Sequence, residues 1–269
     1  SYDPSQLETT DWGELVTRTA FTHNHQISLS AGTETSKLYV SLGYLDQKVP
    51  MKDQDFKRYT ANINGEIIPT KWLKVGMGLN ATHSIKNYGI VSNTSNTGAK
   101  DSYGLAMDMM PWVPAYNEDG SYYFYGKEPA TNLGGAVVLN YNVFNELAHS
   151  GSTQTVRSIN THVDVSYAAA PWLNLDLTLS YNTSSTLAET SYGERSFKVS
   201  TYRNTPYGFD RSSLSDSQLK NLREYTCLIP YGGILNTSND GNDAYMIRAS
   251  FNANKMFNEV HSFSLTAGF

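Results

Sequence analysis

The feature that most constrains this chain is a strict two-residue alternation through residues 173–182. Leu173, Leu175, Leu177, Leu179 and Tyr181 fall on one side, and Asn174, Asp176, Thr178, Ser180 and Asn182 on the other. Successive side chains of an extended strand point to opposite faces, so this stretch reads as a strand with one apolar and one polar face. The pattern recurs. Ile159, Val163, Val165 and Tyr167 alternate with Ser158, Asn160, His162, Asp164 and Ser166, and Leu73, Val75, Met77, Leu79 and Ala81 with Lys74, Gly76, Gly78, Asn80 and Thr82. Further runs are Ile27/Leu29/Ala31, Leu38/Val40/Leu42/Tyr44, Tyr59/Ala61/Ile63/Gly65/Ile67, Tyr245/Ile247/Ala249/Phe251/Ala253 and Phe263/Leu265/Ala267/Phe269, giving eight strands in all.

Strands of roughly 10 to 13 residues are longer than the usual ~5 to 6 of globular sheets and match the ~9 to 11 that cross a bilayer at a tilt. The polar face carries His, Asp, Asn and Arg248 in mid-strand, which a two-sheet core would bury at a cost and a hydrated lumen accepts. The expected fold class is therefore all-β: an antiparallel transmembrane β-barrel segment. In it Leu38, Val40 and Leu42 face outward, as do odd-numbered positions from Phe56 on. Connections at 32–36, 69–71, 170–171 and 255–259 are short, whereas those at 47–55, 87–155 and 185–243 are longer, the arrangement of periplasmic turns and extracellular loops. Trp72 and Trp172, each opening a strand, read as interface anchors on the short-turn rim. Because short turns follow the first, third, fifth and seventh strands, both chain ends fall on the long-loop side. The expectation is an internal slice of a larger barrel, with strands before Ser1 and after Phe269.

Composition supports this reading. Apolar residues are 39% and charged residues 17%, and Asn, Ser and Thr number 23, 29 and 25, so the surplus is uncharged polar. Mean hydropathy is −0.43, and no apolar run approaches the ~20 residues of a membrane helix, which excludes helical spans but not a barrel. A net charge of −5 with scattered Lys and Arg gives no footprint for nucleic acid. The single cysteine, Cys227, excludes an intrachain disulfide framework.

Catalytic signatures are absent: there is no Gly-x-Ser-x-Gly, phosphate loop or dinucleotide fingerprint. No enzyme activity, cofactor or metal is expected. His23-Asn24-His25 puts both imidazoles on one strand face and reads as a strand-end rim. Asn239-Asp240-Gly241-Asn242-Asp243 lacks the spacing of a calcium loop and reads as a polar turn. Asn117-Glu118-Asp119-Gly120 reads as a hairpin turn. Ser215-Asp216-Ser217-Gln218, ahead of Leu219, Leu222 and Tyr225, resembles a capping box opening a short helix that braces its loop.

Particular words carry a family resemblance. Thr10-Asp11-Trp12-Gly13-Glu14-Leu15-Val16, His23-Asn24-His25-Gln26-Ile27-Ser28-Leu29, Tyr39-Val40-Ser41-Leu42-Gly43-Tyr44-Leu45-Asp46 and Phe56-Lys57-Arg58-Tyr59 resemble the front of the barrel in SusC/RagA-like TonB-dependent transporters of Bacteroidetes-type outer membranes. Trp72 to Gly76, Met110 to Gly120, Pro230 to Leu235 and His261 to Gly268 resemble the same family in the same order. The resemblance implies a cell outer-membrane location and a 22-stranded barrel. It implies import of oligosaccharide or peptide cargo with a SusD-like surface lipoprotein, driven by TonB through a plug that has no counterpart in these residues. Residues 1–22 would then be part of an extracellular loop and 23–269 a partial barrel of about strands two to nine, embedded in outer-membrane lipid.

Trp112, Tyr116, Tyr122, Tyr123, Phe124 and Tyr125 cluster in the first long loop. Aromatic faces are platforms for sugar rings and peptide side chains, so Trp112, Tyr116, Tyr123 and Tyr125 are the candidate substrate-binding residues, with lumen groups such as Asn80 and Asp164 below. Packing of most of these rings into a small loop core is the competing reading. Two other functions fit the pattern: a soluble extracellular carbohydrate-binding β-protein, which requires the 173–179 leucine face to be buried, and a complete small outer-membrane barrel.

Overall fold

The computed structural model describes residues 9–89, 92–94, 98–100, 102–107, 109–124, 142–203, 215, 217, 229, 231–258 and 260–269. In chain order the elements are α1 (Trp12–Val16), β1 (Phe21–Gly32), β2 (Ser36–Lys48), β3 (Gln54–Thr70), β4 (Leu73–Gly89), β5 (Ser92–Thr94), β6 (Gly98–Lys100), α2 (Ser102–Met107), α3 (Val143–His149), β7 (Ser150–Ala170), β8 (Leu173–Tyr192), α4 (Phe197–Arg203), β9 (Ile234–Phe257) and β10 (His261–Gly268). Eight long strands form one antiparallel sheet in the order β1-β2-β3-β4-β7-β8-β9-β10, while β5 and β6 make a separate small hairpin.

The register sorts side chains as the alternation requires. One row across the sheet reads Ala31, Leu38, Gly65, Met77, Val163, Leu179 and Ile247. On the opposite face another reads Ser41, Asn62, Asn80, Asn160 and Asn182. A one-residue slip would exchange these faces over an entire strand, so the pattern itself pins the register. The leucine face is not buried: Leu175, Leu177 and Leu179 stay 40%, 36% and 42% exposed. Among the described residues no second sheet covers it, contrary to the soluble reading.

Aromatic rings bound the apolar face at both ends. Near the short turns Trp72 packs edge-on against Tyr167 at 5.5 Å, and Lys255 lies over Trp172 at 5.5 Å. The backbone carbonyls of Trp72 and Trp172 each accept a hydrogen bond, from Ala168 N and Asn254 N at 2.8 Å. Toward the long loops a ladder runs through His23, His25, Tyr44, Tyr59 and His83, with centroid separations of 5.1 to 6.5 Å between successive rings. On β8 and β9 the stacked pair Tyr181 and Tyr245, 4.8 Å apart, marks the same boundary. About ten residues separate the two boundaries on each central strand; at ~3.3 Å per residue and a tilt of ~40° that is a belt about 25 Å high, the apolar height of a membrane barrel.

Three expectations change. β7, β8 and β9 are 21, 20 and 24 residues long, not 10 to 13. Residues 87–89, 150–155, 185–192 and 234–243, expected in the long loops, are therefore strand. The Asn239 to Asp243 segment is no turn: it pairs with residues 183 to 187 inside β9. Beyond the ring boundary both faces are wet, so the ladder persists by backbone pairing while the two-residue signal disappears. The short connections also shift by one to three residues, and the last of them spans 258–260. Pro69, which cannot donate to a ladder, sits within the register shift between Ile67 and Thr70.

The long-loop rim carries its own small core of Trp12, Val16, Leu105, Ala106, Val113, Ala115 and Val143. Burying the Val and Leu side chains among these contributes about 1.5 to 3 kcal/mol each and holds these rim segments together. β1 and β10 are exposed along their lengths, each paired on one side only.

Candidate functional site

The rim core draws together five segments distant in sequence. Asn142 is its centre. Its side-chain oxygen accepts from Phe144 N (2.8 Å) and Asn145 N (3.2 Å), capping α3, while its amide donates to Ala115 O (2.9 Å) and Tyr123 O (2.8 Å). All four bonding directions of this buried amide are used, so it locks the 115–123 hairpin to α3. Glu146, also buried, accepts from Phe197 N at 2.8 Å and from Ser150 Oγ at 3.3 Å, tying in α4. Ser102 Oγ donates to Asp53 at 2.8 Å, and Arg18 donates to Val49 O and Gln54 O, attaching the connection between β2 and β3.

The 115–123 hairpin forms as its sequence requires. Gly120 takes φ +80°, Asn117 N donates to Ser121 O at 2.7 Å, and Tyr116 pairs with Tyr122. Hydrogen bonds from the Ser121 hydroxyl and backbone hold the Asp119 carboxyl below its usual range.

The candidate aromatics separate into classes. Trp112 is 57% exposed and Tyr116 44% exposed. Tyr116 stacks on Phe144 at 5.4 Å and lies tilted against Tyr122 at 5.9 Å, and partial burial raises its phenol above the usual value. Tyr123 and Phe124 both pack against the rim core. Tyr125 lies outside the described residues, as do Cys227 and nearly all of the 215–225 segment. The residue that sequence reasoning missed is Asn142, whose role depends on carbonyls 19 and 27 positions away.

Below the rim, the polar face carries a continuous hydrogen-bonded surface. Thr178 donates to Asp164 (2.7 Å), Ser166 and Asn252 to Asp176 (2.6 and 2.9 Å), and Lys74 pairs with Glu66 (2.8 Å). Asn80 donates to Asn62, and His162 Nε2 lies 3.5 Å from Asp164. His162 lies across Gly78, where a Cβ would collide with the imidazole. The asparagine row, the carboxylates and these hydroxyls form a wet wall able to exchange hydrogen bonds with a passing hydrophilic solute. Among the described residues no three His, Cys, Asp or Glu side chains converge as a metal site. No helix among them is long and apolar enough to cross a membrane, which says nothing of strands.

Known proteins match this geometry. No family model matches the chain. It is 31% identical over 120 residues to TonB-dependent receptor P26 and over 114 residues to TonB-dependent receptor P3, both of Formosa agariphila. It is also 31% identical over 128 residues to the TonB-dependent receptor SusC of Bacteroides thetaiotaomicron. These matches take in 45%, 42% and 46% of the chain and 11%, 11% and 12% of the relatives, so the chain spans a small part of their length. Among solved structures, the RagAB peptide importer in its closed-closed state superposes with a TM-score of 0.66 at 18% identity, over 97% of this chain and 25% of that one. The open-open state gives 0.65 at 17% identity, again over 97% and 25%.

Proposed function

We propose that this chain, a SusC/RagA-like TonB-dependent transporter segment, forms part of the wall and outer mouth of an importer in the cell outer membrane. The curated relatives are TonB-dependent receptors and the structural neighbour is a peptide importer, which supports import in general. The cargo we assign here is a hydrophilic oligomer, glycan or peptide, taken up together with a SusD-like surface lipoprotein and with TonB acting through a plug. In this reading the chain does no chemistry of its own. In the same reading residues 1–22 belong to an extracellular loop and 23–269 to a partial barrel whose helical rim stands outside the bilayer.

The observation that carries the proposal is the sheet with two opposed faces: an apolar belt about 25 Å high between aromatic boundaries, backed by an unbroken polar wall. Such a sheet is stable where one face meets lipid and the other water. Cargo would meet Trp112 and Tyr116 at the mouth, where ring faces stack on apolar faces of the solute, and then Asn80, Asn160 and Asp164, which replace its hydrogen bonds with water. Tyr123 serves as packing behind them.

The test is uptake by the full transporter. Alanine at Trp112 and Tyr116 together should lower uptake of a glycan or peptide cargo several-fold with unchanged barrel in the membrane. Unchanged uptake would assign both rings to the loop fold or to the lipoprotein contact.

A further inference from the structure

The belt between the aromatic boundaries is not uniform. Ala61 and Ala81 sit directly opposite one another on β3 and β4, flanked in register by Leu42 on β2 and Ile159 on β7. Two small side chains between large ones leave a depression of about 770 Å³ on the apolar face, bordered by Ile27, Leu42, Tyr59, His83, Arg157 and Ile159. That volume is in the range of small-molecule sites. Its long-loop lip is the row His25, Tyr44, Tyr59, His83 and Arg157, each the cross-strand partner of the next. Arg157 is exposed and has no hydrogen-bond or ion-pair partner among the described residues. No carboxylate shares its row; Asp46, one position further out, is engaged by Tyr44 at 3.2 Å and faces Lys48 at 3.9 Å.

A lone guanidinium at the edge of an apolar belt is unfavourable unless an anion meets it. The planar fork of Arg suits a phosphate, and the neighbouring His83 imidazole and the Tyr59 hydroxyl beyond it add hydrogen-bond donors. We propose that this groove binds one anionic phospholipid of the outer leaflet, its phosphate on Arg157 and His83 with no headgroup cation to oppose the guanidinium, and one acyl chain lying over Ala61 and Ala81. The assignment rests on the membrane reading above. Charge complementarity at the lip and a chain-sized apolar groove beneath it select a lipid: free phosphate would have no use for the groove, and a protein helix no counterpart for the bare arginine.

The experiment uses the full transporter in nanodiscs containing phosphatidylglycerol and phosphatidylcholine of identical chains, with co-purified lipid measured after mild detergent extraction. The wild type should retain phosphatidylglycerol about five-fold or more over phosphatidylcholine, the scale of one charge-assisted contact. Arg157→Gln should abolish that preference. Ala81→Leu, which fills the groove with an apolar side chain, should lower retention of both lipids, and excess inorganic phosphate should displace neither. Retention unchanged in both variants, or displacement by inorganic phosphate, would overturn the site while leaving the barrel reading intact. A wild-type protein that leaves the bilayer altogether would overturn the membrane reading and the site with it.

Discussion

Arginine placed at Leu177 should be far more damaging than arginine at Thr178, one residue away. Leu177 lies between Val165 and Ala249 on the apolar face, about midway between Trp172 and the Tyr181 boundary. Thr178 lies between Asp164 and Arg248 on the polar face and donates to the Asp164 carboxylate at 2.7 Å. A lipid-facing arginine near the midplane costs ~2 to 4 kcal/mol, a shift of about 30- to 1000-fold in the folding equilibrium. The Thr178→Arg side chain meets water and the neighbouring Asp164, so its cost should stay below ~1 kcal/mol, mainly the lost hydroxyl bond and the approach of Arg248. Denaturant titration of the full transporter in lipid vesicles reads both values, with the slope of the transition checking that the folded state is unchanged. Equal destabilisation by the two substitutions, or a larger loss at Thr178, would refute the assignment of faces.

Further expectations follow from individual contacts. Asn142→Ala removes the cap of α3 and strands the Tyr123 carbonyl, while Ala115 O keeps only its bond from Tyr123 N, so the rim should lose about 2 to 4 kcal/mol, seen as faster proteolysis between 109 and 149 with the barrel intact. Gly89→Ala should distort the β4 end, because Gly89 takes φ +69° and a Cβ there would meet the Asp53 carboxylate that holds Ser102; protection of the α2 amides from hydrogen exchange should fall. The Asp119 carboxyl is held low by Ser121, so its contribution to the hairpin is present above the ordinary carboxylate value and is lost as pH falls through its lowered value. Ser121 amide protection should follow that course, and Asp119→Asn should remove the pH dependence. The 269 residues alone should not give a monodisperse monomer in water, since the leucine belt and the edges of β1 and β10 are exposed; a cooperative melt of such a monomer would contradict this.

What the sequence made legible was the part governed by a two-residue period. Leu73, Leu173 and Ile247 share a face because lipid on one side and water on the other constrain every second residue between the aromatic boundaries. Above them that constraint ends, which is why Ser184, Ser185 and Thr186 against Asp240, Gly241 and Asn242 gave no strand signal although they pair. The mouth was legible only as a cluster of rings. Whether Trp112 points out while Tyr123 packs inward is decided by Trp12, Val143 and Asn142, residues brought together across long loops. The Ala61 and Ala81 groove is likewise invisible in one dimension, since it exists only once β3 and β4 are in register and Arg157 arrives from β7.

The most direct measurement of the central claim is a labelling scan along β8 in the full transporter, reconstituted in vesicles with Cys227→Ser as background. Cysteine is introduced singly at each position from 174 to 179, spin-labelled before reconstitution, and probed by collision with oxygen, which concentrates in lipid, and with a water-soluble nickel chelate. Labels at 175, 177 and 179 should collide with oxygen and not with the chelate, and those at 174, 176 and 178 should be reached by the chelate. Uniform collision along the strand, or shielding of 175, 177 and 179 from both reagents as in a buried protein core, would contradict the assignment of faces.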